Sequence, residues 1–157
     1  MESDRREEEL VEVRRKAIDQ EARSRRENLI FFNVPEGGDC TDRVTNIIKN
    51  SLGITRDTPI ERCHRLGPQR EGATKPRPII AKFLRYTDKA EILAQRRRLQ
   101  RPVGIAEDLP MPTRKARQSL MEDLKRARDS GKRASIAYPA RLIVEGVMVR
   151  EVDPAAY

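Results

Sequence analysis

Tryptophan is missing from this chain, and the other aromatics are few: three Phe and three Tyr in 157 residues. Any stacking surface must be built from that handful of rings. One histidine, His64, leaves a His-based dyad or metal cluster a single candidate. Two cysteines, Cys40 and Cys63, stand without a second pair, which supports neither a disulfide framework nor a zinc module. The longest mostly apolar stretches, LIFF and LIVEGVMV, fall far short of the ~18–20 residues of a spanning helix. The opening MESDRREEEL lacks the apolar segment of a secretory signal. A reducing, intracellular setting with no membrane partner is expected.

Charge is what the chain has in plenty. Lys and Arg number 33 against 25 Asp and Glu, a formal +8, and charged residues make up 37% of the sequence. Residues 1–27 are close to neutral, with 8 basic and 9 acidic side chains, whereas residues 60–101 hold 12 basic against 4 acidic. The positive excess therefore belongs to the folded-looking part rather than to a tail, and it predicts a polyanionic partner.

The pattern divides the chain into 1–27, 28–109 and 110–157. Residues 4–26 contain no Gly or Pro and place Leu10, Val13 and Ala17 at a/d spacing, followed by the polar Gln20 and Ser24. This reads as the end of a coiled coil, with a plain solvated helix as the alternative. Residues 28–109 read as strand 28–34, a helix from a Thr41 cap to Leu52, strand 60–66, a basic loop 67–76, strand 78–84, a helix 88–99 capped by Thr87, and a short strand 103–106. The order βαββαβ predicts an antiparallel sheet with helices on one face. In residues 110–157 one helix is expected from a Thr113 cap to Ser130, stopped by Gly131. It would carry an apolar stripe (Ala116, Leu120, Leu124, Ala127) beside a basic one (Arg114, Arg117, Lys125, Arg128). A hairpin 141–144 and 147–152, turning at Glu145-Gly146, completes an α+β chain.

Converging catalytic groups are hard to find. In Glu61-Arg-Cys-His-Arg, strand alternation separates Cys63 from His64. The pair Glu107-Asp108 precedes Leu-Pro, where acids commonly start a turn or helix, and Glu36-Gly-Gly-Asp lacks the Lys and the spacing of a phosphate loop. No enzyme, cofactor or metal is expected. The βαββαβ order is that of the RNA recognition motif, whose central strands stack bases on aromatics. Here Ile30, Pro78 and Ile80 occupy the stacking positions, so recognition must lean on phosphates and tolerate sequence.

The runs RSRRENLIFFNVPE, ERCHRLG, KPRPIIAKF and IAYPARL, in that order, resemble the first-open-reading-frame protein of LINE-type non-LTR retrotransposons. The resemblance spans residues from about 20 to 150. It implies a trimerising coiled coil, an RNA recognition motif and a small C-terminal domain. It also implies a cytoplasmic, partly nuclear ribonucleoprotein that binds single-stranded RNA (single-stranded DNA as well) and acts as a nucleic-acid chaperone. Matched residue by residue, it assigns nucleic-acid contacts to Arg26, Asn28, Arg62, Arg65, Arg77, Arg117 and Tyr138. Arg65, Arg77 and Arg117 would grip phosphates and Tyr138 would stack a base, with Arg114, Lys125 and Arg128 as further basic candidates. The homotrimer would form through Leu10, Val13 and Ala17, on a coil of only about three heptads. The alternatives are a duplex-DNA binder, a coiled-coil interaction scaffold and, on acids such as Asp108 near basic residues, a nuclease. No zinc module, basic zipper or helix-turn-helix speaks for the duplex.

Overall fold

The computed structural model describes residues 1–156. They form an α+β chain of two compact units: residues 25–108, and Met1–Ser24 together with the chain from Leu109 onward. The N-terminal helix thus shares a unit with the C-terminal elements.

In the unit 25–108, β1 (Asn28–Phe32), α2 (Cys40–Asn46), β2 (Ile60–Arg65), β3 (Ile79–Phe83), α3 (Tyr86–Ala94) and β4 (Gly104–Glu107) follow the order βαββαβ, α1 being the N-terminal helix. The sheet order is β2-β3-β1-β4 with every pair antiparallel. The two-residue alternation of a strand explains which face is buried. Leu29 and Phe31 of β1 and Ile79, Ala81 and Phe83 of β3 meet Val44, Ile48, Leu52 and Ile92 in one core, so both helices lie on that face. The opposite face carries Ile30 paired with Ile80, and also Phe32, Arg62, His64 and Lys82. Asp39 rather than Thr41 caps α2, its carboxylate accepting the Asp42 N–H at 3.1 Å. That helix continues through a π turn, Ile47–Ser51. The second helix begins at Tyr86, ahead of the expected Thr87 cap, and ends at Ala94; Arg96–Arg98 then form a 3-10 turn.

The other unit contains α1 (Glu2–Ser24), α4 (Met111–Gln118), α5 (Met121–Asp129) and a three-stranded antiparallel sheet of β5 (Ala134–Ala137), β6 (Arg141–Val144) and β7 (Val147–Glu151). The single long helix expected over 113–130 is two helices. The chain breaks at Ser119-Leu120, where the Ser119 hydroxyl bonds the Ala116 carbonyl at 2.6 Å, a local bond that competes with the helical ladder. Thr113 is not a cap: the helix starts at Met111 behind Pro110, and Thr113 is fully buried. The apolar stripe does form the core, with Ala116, Leu120 and Leu124 against Ala140 and Leu142. Glu145 and Gly146 adopt φ of 50° and 78°, as a two-residue hairpin turn requires. Gly131, at φ 84°, ends α5. The strand β5, which periodicity missed, is four residues long and pairs with β6.

Candidate nucleic-acid interface

The expected contact residues fall into two groups, those whose polar atoms the fold already uses and those that face solvent. Arg65 belongs to the first. Its guanidinium donates to the carbonyls of Val34 at 2.8 Å, Arg77 at 2.7 Å and Pro35 at 2.5 Å, and its side chain is only 8% exposed. Arg43 donates to the next two carbonyls, Glu36 at 3.1 Å and Gly37 at 2.9 Å. Arg77 holds the Glu36 carboxylate through Nε at 2.9 Å and through its own backbone N–H at 3.2 Å, and reaches the Gly67 carbonyl at 3.1 Å. Among the described residues the irregular segment 34–37 has no ladder partners for its carbonyls, and a guanidinium with five donors supplies them. The polar atoms of Arg65 and Arg77, expected to grip phosphates, are thus engaged in internal ties of this loop.

The same cage sets an acid response. Side-chain and backbone hydrogen bonds from Arg77 lower the Glu36 carboxyl from 4.5 to about 2. A folded-state value below the free one stabilises the fold above pH 4.5 and loses that contribution as pH falls toward 2. Thermal melts between those pH values should fall less steeply for Glu36→Gln than for the wild type; parallel curves would contradict this assignment.

Asn28 is buried, and its amide donates to Asp108 at 2.9 Å, while Arg25 donates to the other oxygen of that carboxylate at 2.9 Å. The Asn28 amide is thus engaged internally, and both oxygens of Asp108 have a donor. Arg26 lies over the Tyr86 ring, 4.0 Å from its centroid, on the exposed surface, and an exposed cation–π contact of this kind leaves the guanidinium edge available. Arg62 faces solvent on β2, opposite Lys82, with no ion pair or hydrogen bond among the described residues.

In the other unit, Arg117 is half-buried and donates to the carbonyls of Ile136 at 3.2 Å and Pro139 at 3.2 Å. These flank Tyr138, whose side chain is 51% exposed at a cis peptide to Pro139. Arg117 thus ties the backbone on both sides of Tyr138. Arg114 contacts the Met111 sulfur at 3.5 Å and Arg128 donates to the Ala134 carbonyl at 3.1 Å, both from exposed positions. Lys125 is exposed and unpaired among the described residues. On α1, Leu10 and Val13 are 62% and 63% exposed, and Ala17 is exposed beside them.

Two exposed features escaped the sequence reading. Phe32, 37% exposed on the sheet face opposite the core, is an aromatic where none was expected; it lies two residues beyond Ile30 and so shares its face. Arg96 and Arg97 are exposed on the 3-10 turn, in a stretch read as helix. Cys40 and Cys63 are free and partly buried against the core. Burial, with a smaller effect of the neighbouring Cys40, pushes the Cys63 thiol up to about 11. Because the thiolate is the nucleophile, iodoacetamide at pH 8 should label Cys63 at least roughly tenfold more slowly in the folded protein than in urea. Equal rates would refute that environment.

Among the described residues no three His, Cys, Asp or Glu side chains cluster to hold a metal ion, and no helix is long and apolar enough to cross a membrane. No family model matches this sequence, and no curated protein matches it.

Proposed function

We propose that this chain is a non-catalytic, largely sequence-tolerant single-stranded RNA-binding protein of a retrotransposon ribonucleoprotein, cytoplasmic and partly nuclear, with nucleic-acid chaperone activity. The observation that carries the reading is Tyr138: a half-exposed ring at a turn whose two flanking carbonyls are bonded to Arg117. A ring fixed in this way stacks a base without first being ordered. The exposed cations Arg26, Arg62, Arg96, Arg97, Arg114 and Lys125 support phosphate contact. The βαββαβ order supports a relation to RNA recognition motifs, with Arg62 and Phe32 on the open sheet face. The exposed seam of Leu10, Val13 and Ala17 supports homotrimer formation.

Fluorescence anisotropy of a labelled mixed-sequence single-stranded RNA, titrated at several salt concentrations, tests the reading. Log affinity should fall linearly with log salt, with a slope of about −0.7 per phosphate contacted, and duplex DNA should compete poorly. Absence of binding near physiological salt, or equal competition by duplex, would overturn it.

A further inference from the structure

A cavity of about 620 Å³ opens within the unit that contains α1 and the C-terminal elements, lined by Ile18, Asp19, Thr113, Tyr138, Pro139 and Ala155 among others. Its size lies in the range of sites that enclose a nucleoside-sized molecule. The charges around it decide what it can take. Arg15 is paired with Asp153 at 2.6 Å and with Glu12 at 2.8 Å, and Arg141 is paired with Glu151 at 3.2 Å. The second Asp153 oxygen accepts the Ala155 N–H at 2.9 Å. Both lining cations are thus already neutralised, and a phosphate inside would meet carboxylates.

Asp19 differs. Among the described residues it has neither ion pair nor hydrogen bond, and it is exposed on α1. Thr113, also in the lining, is fully buried with a hydroxyl that has no partner among the described residues, an unusual condition for a buried polar atom. The cavity therefore combines apolar walls, an aromatic ring, an unpartnered hydroxyl and an unpaired acceptor. That set suits a nucleobase.

The carboxylate selects among bases. An ionised Asp accepts and cannot donate, so it favours an edge with two adjacent donors. Guanine offers N1–H beside its N2 amino group. Adenine and cytosine place a ring acceptor next to their amino group, and uracil flanks one N–H with two carbonyls. We propose that the cavity holds one unstacked guanine of a bound strand, its ring against Tyr138 and its N1–H and N2–H on the Asp19 carboxylate. This rests on the RNA-binding reading and adds to it a single base-selective position within otherwise tolerant binding.

The test is anisotropy with four labelled oligouridines that carry G, A, C or U at one central position, on the full chain and on Asp19→Asn. The expected result is about tenfold tighter binding of the G oligomer, with the preference falling to near one in Asp19→Asn. Equal affinities for all four overturn the base pocket and leave RNA binding standing. A guanine preference that survives Asp19→Asn also overturns it, because the carboxylate would not be the reader. If no oligomer binds, the RNA reading fails, and saturation-transfer NMR of free guanosine against uridine then decides the pocket. A guanosine signal lost in Asp19→Asn upholds the cavity as a guanine site, and no guanosine signal removes it.

Discussion

Replacing Arg65 by alanine is expected to lower stability by about 3 kcal/mol, because one nearly buried guanidinium is bonded to three backbone carbonyls. Charge-assisted bonds of this type contribute about 1.5–3 kcal/mol each, and water at the more exposed Pro35 carbonyl recovers part of the loss. In a chain of this length the melting temperature should fall by roughly 10 °C. Arg65→Lys should recover less than half, since an ammonium cannot span the separated carbonyls as a planar fork does. The measurement is a thermal melt paired with RNA anisotropy at a temperature where the variant remains folded. A stable Arg65→Ala protein that has lost RNA affinity would restore the phosphate role and refute the structural one.

Tyr138→Ala should produce the opposite signature. The ring is half-exposed and absent from the buried core of its unit, so its removal should move the melting temperature by only a few degrees. Base stacking on an aromatic contributes on the order of 1–3 kcal/mol, so RNA affinity should drop roughly tenfold or more. Tyr138→Phe keeps the stacking face and should stay within about twofold of the wild type. Arg117→Ala is expected to fall between these cases, losing affinity because Tyr138 is no longer held from both sides. Unchanged affinity in Tyr138→Ala would remove the tyrosine from the interface and leave the sheet face, with Phe32 and Arg62, as the remaining surface.

The contrast between Arg65 and Tyr138 shows where a sequence stops being informative. Both lie in runs that carry the resemblance to retrotransposon proteins, and both read equally well as nucleic-acid contacts. Strand alternation within 78–84 puts Ile79, Ala81 and Phe83 on one face, and all three are fully buried. Helical spacing likewise marked Ala116, Leu120 and Leu124 as core. Those patterns are local, because side-chain direction repeats every two residues in a strand and every 3.6 in a helix. The partner of an arginine has no such period. Arg65 and Arg77 are 31 and 41 residues from the Val34 and Glu36 groups they bond, and nothing in the intervening chain signals the bond.

Local chemistry misled in smaller ways as well. Thr41, Thr87 and Thr113 each have a residue type that caps helices, yet α2 is capped by Asp39, α3 starts one residue before Thr87, and Thr113 is buried inside α4. A hydroxyl two or three positions from a helix start satisfies the pattern whichever residue makes the bond.

By itself the sequence determined the α+β class, the order βαββαβ, the core stripes and the location of the positive charge, since periodicity and composition act over a few residues. Only the tertiary structure decided which cations are held by carbonyls and carboxylates and which face solvent. It also placed Asp19, Thr113 and Tyr138 around one cavity, although they lie far apart in the chain. Hydrogen bonding and burial in a folded chain depend on which distant segments meet, and that is set by packing rather than by local pattern.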